Sequence, residues 1–269
     1  MEPFSIIVPV YRREEKAEEL LERLKQRPPE GLENVVSVVD EGSLDIEWGM
    51  LQVLENRQRV GKSRAINQAL EEIDTEINVL LSSDVEVGAE TIERMVEVVE
   101  AGTDLAVPRV QPADKNSVAS RVFRTIWKLN HHLSLERPKM GEVMAFRDNI
   151  EIPEEVAVDE EYIASQKDSA RYLPGEEAVN QSPISLKQLY IQRRRIFVGH
   201  LDLQRRENYV APTNQPVLLL KAIRSYLSSG EELAPLLQAA VIEWFARSEG
   251  FLRALSFKIP WMWTTVETY

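Results

Sequence analysis

Three short aliphatic runs constrain this chain more than any other feature: residues 4–10, 35–39 and 77–81. Each is rich in Val, Ile or Leu and is closed by a proline, an acid or serines, the pattern of a buried strand. Helical spacing fills the intervals. Over 14–26, Ala17, Leu20, Leu21 and Leu24 share a face until Pro28-Pro29 stops the run, and over 61–73 Ala65, Ile66, Ala69 and Leu70 do the same. A helix over 90–101 and a strand over 104–110 continue the alternation. Such alternation predicts a parallel sheet with crossover helices, whose ligands bind at the carboxyl ends of the strands. Those ends carry Tyr11, Asp40 and Asp84, so the pattern brings an aromatic ring and two carboxylates to one crevice.

Beyond residue 110 the pattern turns mainly helical. An amphipathic helix over 117–135 holds Trp127 and the pair His131-His132. A short strand over 142–147 and a helix over 159–166 follow. The helix over 186–198 contains Gln192-Arg193-Arg194-Arg195, and two more helices are expected over 217–227 and 231–255 before Pro260-Trp261-Met262-Trp263. No internal repeat, low-complexity tract or long linker interrupts the chain.

The charge balance narrows the partners. With 44 Asp and Glu against 32 Lys and Arg, net charge -12, no broad attraction to nucleic acid is expected. An anionic ligand needs a local cation cluster. The arginine run 193–195 is one, because a guanidinium grips phosphate oxygens through a planar fork. Lys62 and Arg64 at a helix start are another, since helix N-termini also attract anions. The absence of cysteine excludes disulfides, thiolate catalysis and Cys-ligated zinc. No run approaches the ~18 apolar residues of a spanning helix, and the first apolar run ends at Pro9 without an export signal. A cytoplasmic protein is the expectation.

Several signals admit plain readings. Asp40 can be a turn former. Asp84, in Ser82-Ser83-Asp84-Val85-Glu86, can be a solvated loop acid or a ligand for a hard divalent cation. Gly61-Lys62-Ser63 does not make a P-loop, because Asn56 occupies the position where that loop needs glycine. Asp159-Glu160-Glu161 can be a charged first turn or can supply a base for a hydroxyl. The histidines form no metal pair; His131 and His132 read as surface or packing residues, and His200 as structural, with a metal or diphosphate contact as its alternative.

The order of these elements resembles glycosyltransferase family 2, the inverting enzymes with the GT-A fold that include cellulose, chitin and hyaluronan synthases. The likeness covers about residues 4–200. Residues 4–11 resemble the family's opening strand, and Val38-Val39-Asp40-Glu41-Gly42-Ser43 its "VVDDGS" element. Gly61-Lys62-Ser63-Arg64-Ala65-Ile66-Asn67 is similar to the "GKAxALN" stretch, and Leu80-Leu81-Ser82-Ser83-Asp84 falls at the DxD metal motif. Gly141 to Arg147 looks like the acceptor-side "GxxxAFR" element, Asp159 matches the aspartate of the ED motif, and Gln192 to Ile196 is close to QxxRW.

The resemblance implies a mostly parallel α/β sheet flanked by helices, with a helical C-terminal extension. It implies three stretches: a nucleotide-sugar-binding half over 1–110, an acceptor-side half over 111–210, and the extension over 211–269. Pro9, Tyr11, Asp40, Lys62 and Asn67 would bind the nucleotide; Gln192, Arg194 and Arg195 the diphosphate. Asp84 would hold Mg2+ or Mn2+, with Glu86 as helper in a DxE register, and Asp159 would be the general base. The implied donor is a UDP- or GDP-linked sugar and the acceptor a hydroxyl on a glycan, lipid or small molecule. Ser82, Val158 and Ile196 depart from the family's acid, acid and tryptophan. The membrane helices of the synthases are missing, so residues 211–255 would substitute for them as a soluble or peripheral element, where a peripheral membrane contact is expected. Two rivals stand beside this reading: a nucleotidyltransferase on a related sheet, and a non-catalytic nucleotide-sugar-binding protein.

Overall fold

A computed structural model describes residues 1–113 and 115–255. The elements run β1 (Phe4–Tyr11), α1 (Glu14–Gln26), β2 (Leu32–Asp40), β3 (Leu51–Asn56), α2 (Lys62–Glu71), β4 (Ile77–Leu81), β5 (Val85–Val87) and α3 (Ala89–Glu100). There follow β6 (Leu105–Pro112), α4 (Val118–Ser134), β7 (Val143–Arg147), α5 (Asp159–Ser165), β8 (Ala170–Asn180), α6 (Leu186–Glu207), a 3-10 turn (Pro212–Asn214), α7 (Pro216–Ser228) and α8 (Leu233–Leu255). The segment Pro260-Trp261-Met262-Trp263 lies outside the described residues.

The strands form one eight-stranded sheet in the order β3-β2-β1-β4-β7-β6-β8-β5. β1 pairs parallel with β2 and β4, and β2 parallel with β3, as the alternation predicts. β7 is inserted antiparallel between β4 and β6. Burial on both faces explains the central strands' composition: Ile6, Ile7, Val8, Val35, Val36, Val38, Val39 and all of β4 are buried. Pro9 is tolerated in a central strand because pairing of β1 with β4 covers only Phe4 to Ile7, so no donor is needed on that side further along.

Two compact units emerge. The first comprises Met1–Arg109, Met140–Glu154 and Gln166–Ala178; the second comprises Val110–Lys139, Glu155–Ser165 and Val179–Tyr269. The first holds most of the sheet with α1, α2 and α3. In the second, α4 buries Val122, Phe123 and Ile126 with Leu189 of α6 and Ala239 of α8, and Trp127 packs on that cluster. α6 and α8 approach closely at Gly250, where an added Cβ would lie 3.0 Å from Phe197 Cδ1.

Candidate active site

The carboxyl ends of β1, β2 and β4 carry the first group of expected residues. Asp40 closes β2 and is only 3% exposed. Its Oδ2 accepts hydrogen bonds from the backbone N–H groups of Val60 and Gly61, each at 3.0 Å, and its Oδ1 accepts from Asn56 Nδ2 at 3.1 Å. Asn56 Nδ2 in turn donates to Gln68 Oε1 at 2.8 Å, tying α2 to the strand end. Asp40 therefore fixes the turn that delivers Lys62 to the first position of α2. Gly61 is required in that turn: its φ of 92 and ψ of 158 fall in a region essentially closed to other residues.

Tyr11 lies opposite Asp40 in the β1–β2 register. Its ring meets the guanidinium carbons of Arg59 at 4.1 Å and Arg12 at 5.0 Å. Arg12 and Glu41, each next after a strand end, adopt left-handed φ of 54 and 58 and form an ion pair at 3.8 Å. Two strained non-glycine residues side by side mark this edge as over-determined by its surroundings, a property common at ligand sites. Asn67, expected at the nucleotide, has its amide engaged within the chain: Nδ2 donates to the Ile152 carbonyl at 2.7 Å and Oδ1 accepts from the Ile152 N–H at 2.9 Å.

After β4 the chain makes a tight turn, Val85 N–H donating to the Ser82 carbonyl at 3.1 Å, with Asp84 as its third residue. Asp84 Oδ2 stands 3.5 Å from Arg13 NH1, just before α1. Glu86 is turned elsewhere. Its neighbours Val85 and Val87 are buried while it is exposed, and it pairs with Arg23, in the last turn of α1, at 3.2 Å. Ten residues of helix separate Arg13 from Arg23, a rise of about 15 Å, so the two acids are drawn toward opposite ends of α1.

Among the described residues no group of three or more His, Asp or Glu is arranged to hold a metal. An oxygen-liganded Mg2+ or Mn2+ still fits the donor set at Asp84, because such ions commonly take one or two carboxylates and complete their shell with phosphate oxygens and water.

Within the second unit, Asp159 begins α5 and is 5% exposed. The entry to α5 packs on α6: a Cβ added at Gly199 would fall 2.7 Å from Val158 Cγ1. Gln192 and Arg195 lie seven and four residues before Gly199, on the same helical face. Gln192 Oε1 is buried without a hydrogen-bond partner, which leaves an acceptor on that face. Arg194 lies on the opposite face. It pairs with Glu249 of α8 at 2.6 Å and stacks on Tyr190, while Arg193 is ion-paired to Glu243 of α8. The structure thus separates Arg194 from Arg195, which the sequence pattern groups together.

The Gly141 to Arg147 element is split in the same way. Arg147 pairs with Ile77 at the start of β4 and binds Glu76 and Glu2, whereas its other end meets β4 where Asp84 follows. His200 is buried, its Nδ1 3.4 Å from Thr213 Oγ1, and burial holds its pKa well below the ordinary value. His132 contacts Ser225 at 3.0 Å and packs edge-on to Tyr226. Sequence reasoning named Glu142 and Glu161 only within longer runs and did not single out Tyr209. Tyr209 O–H donates to Glu161 Oε2 at 2.9 Å, Glu161 Oε1 is buried without a partner, and burial raises the Glu161 pKa against the pull of Lys139.

Comparisons with known proteins give a consistent picture. A family profile described as "Glycosyl transferase family 2" matches residues 5–152. A dolichol-phosphate mannosyltransferase of Pyrococcus furiosus is 29% identical over 112 residues, covering 38% of this chain; the match spans about a third, 32%, of that relative's length. Among solved structures, the mannosyltransferase PcManGT from Pyrobaculum calidifontis, in complex with GDP-Man and Mn2+, superposes with a TM-score of 0.61 at 19% identity, covering 97% of this chain and 88% of that one. Glucosyl-3-phosphoglycerate synthase from Mycobacterium tuberculosis, in complex with Mn2+, UDP-glucose and phosphoglyceric acid, superposes at 0.52 and 15% identity, covering 75% and 79%. The architecture is that of GT-A glycosyltransferases. Among the described residues no helix is long and apolar enough to cross a membrane.

Proposed function

The chain belongs to glycosyl transferase family 2, and from that premise we propose that it transfers a sugar from a UDP- or GDP-linked donor to a hydroxyl acceptor with inversion at the anomeric carbon. One observation carries the reading. Tyr11, Asp40 and the Ser82–Val85 turn stand at the same end of three adjacent parallel strands, the end where such sheets bind ligands. Pro9 and Tyr11 border the nucleoside, and Asp40 shapes its pocket through the turn it clamps. Lys62 meets the diphosphate at the α2 N-terminus, and Asn67 steadies Ile152 behind it. Gln192 and Arg195 add diphosphate contacts from α6, and Arg194 supports them from its α8 ion pair. A bound Mg2+ or Mn2+, held at Asp84 with Glu86 nearby in sequence, would neutralise charge on the leaving diphosphate. Asp159 accepts the acceptor hydroxyl's proton, a contribution of typically ~10²–10⁴-fold.

In this reading residues 1–110 serve as the donor half, 111–210 as the acceptor half and 211–269 as the extension. The extension also supports a peripheral lipid contact: α7 and α8 expose Val217, Leu220, Leu237, Val241, Trp244, Phe245 and Leu252, with Trp244 and Leu252 each at 64%. Exposed apolar side chains in such number mark an interaction surface.

The test is a thermal-shift screen of nucleoside diphosphates and their sugars with Mn2+, followed by donor hydrolysis and transfer assays. Asp159→Asn should abolish transfer and leave the nucleotide-induced shift intact. Unchanged turnover in that variant removes the base assignment, and absence of any nucleotide shift removes the donor assignment.

A further inference from the structure

Ser82 leaves the strand-end motif one acid short. We infer that Glu142 supplies the missing carboxylate, reaching the divalent-cation site from the neighbouring strand. The inference rests on the reading of Asp84 as the metal-holding acid.

β4 and β7 pair antiparallel with Leu81 opposite Val143, so Ser82 and Glu142 are the next pair across. Residues directly opposite on such strands project to one face, with Cβ atoms about 4.5–5.5 Å apart. Two hydrogen bonds fix this pair: Ser82 N–H donates to the Glu142 carbonyl at 2.9 Å, and Ser82 Oγ–H donates to Glu142 Oε2 at 3.0 Å. The same Ser82 opens the turn that holds Asp84, so one residue connects both carboxylates. A motif with two acids on one strand would set the first acid at position 82. Here that position holds a hydroxyl, and the hydroxyl grips a carboxylate from the adjacent strand.

Chemistry favours the arrangement. Glutamate is one methylene longer than aspartate, which suits a group that must lean across an inter-strand gap. A hydroxyl donating to a metal-ligating carboxylate orients it, the usual work of an outer-shell partner. Glu86, the alternative acid, is drawn to Arg23 at the far end of α1. Arg13 supplies the positive charge beside Asp84 that a bound cation would displace or share.

The experiment titrates the full chain with Mn2+, alone and with saturating UDP or GDP, following loss of the free-ion signal by electron paramagnetic resonance. Glu142→Gln should weaken Mn2+ binding at least ~10-fold, in line with the sensitivity of metal sites to nearby carboxylates, while nucleotide binding without metal is unchanged. Adding Ser82→Asp to Glu142→Gln should restore most of the lost affinity. Parent-like Mn2+ binding in Glu142→Gln, with binding lost in Asp84→Asn, overturns the inference and leaves Asp84 in place. Parent-like binding in both variants removes the Asp84 reading and this inference with it. Should the amide variant fail to fold, Glu142→Asp keeps the charge and withdraws it by one methylene; unchanged affinity there overturns the inference equally.

Discussion

Replacing Asp40 by asparagine distinguishes a residue that touches the nucleobase from one that builds the pocket. Oδ2 of Asp40 accepts two backbone N–H groups at 3.0 Å, and Oδ1 accepts from Asn56 at 3.1 Å. Asparagine offers one oxygen and one NH2. With its oxygen toward Val60 and Gly61, its NH2 faces Asn56 Nδ2, donor against donor. Turning Asn56 around relieves the clash and breaks its exchange with Gln68, at 2.8 and 3.3 Å. Hydrogen bonds to a charged group contribute about 1.5–3 kcal/mol and neutral ones about 0.5–1.5. Neutralising two bonds and losing a third therefore costs about 3 kcal/mol. At this chain length each kcal/mol lowers Tm by about 2–4 °C, so the ligand-free protein should melt on the order of 10 °C lower. Hydrogen exchange at the Val60 and Gly61 amides should accelerate in parallel, because their acceptor has weakened. If Asp40→Asn instead melts within 2 °C of the parent and loses only the nucleotide-induced shift, the clamp account is refuted and Asp40 acts directly on the base.

Gly199→Ala places a methyl 2.7 Å from Val158 Cγ1; overpacking of this kind costs about 1–3 kcal/mol, and displacing the entry to α5 should lower kcat of transfer more than it raises the donor KM. Arg195→Gln should raise the donor KM, whereas Arg194→Gln, by breaking the 2.6 Å pair with Glu249, should chiefly lower Tm; equal kinetic losses in both would refute the opposite-face placement. Glu161 carries a pKa raised by burial above 4.5, so the folded state favours its protonated form. Its stabilising contribution is complete below pH 4.5 and is lost as pH rises through the folded value. Glu161→Gln, permanently neutral, should therefore raise Tm at pH 8 and change it little at pH 4. His200 has the opposite linkage: its depressed pKa gives stability that is present above 6.5 and lost as pH falls, and a pH–Tm profile of His200→Gln should be flatter below that point.

Where buried side chains form an unbroken run or recur at helical spacing, the sequence announced its elements. β4 occupies 77–81 as the aliphatic run predicts, and α1 occupies 14–26 because Ala17, Leu20, Leu21 and Leu24 all turn inward. β8 escaped notice for the opposite reason: only Leu173, Ala178 and Asn180 of its eleven residues are buried, and Pro174-Gly175 interrupts any alternation. β3 has no buried residue and β5 has three residues in all, too little pattern to read. The sequence reading places the end of α6 at Val198. It continues to Glu207, with Gly199 leaving room for Val158 to approach, and ends where Asn208 takes a left-handed φ of 53.

The candidate site follows the same division. Tyr11, Asp40 and Asp84 were legible as strand-end residues because parallel β1, β2 and β4 carry their own signatures. What each side chain does there was not, because it depends on register and helical phase. Asp40 looks like a free ligand until Val60 and Gly61 are seen to occupy its Oδ2 and Asn56 its Oδ1. Arg193, Arg194 and Arg195 look like one cation cluster until α8 takes the first two through Glu243 and Glu249. The Gly141 to Arg147 run looks like one acceptor-side element until the antiparallel register sends Arg147 to the amino end of β4 and leaves Glu142 beside Ser82. The antiparallel direction of one five-residue strand therefore decides which acid stands beside Ser82, and the apolar run 143–146 alone does not carry that direction.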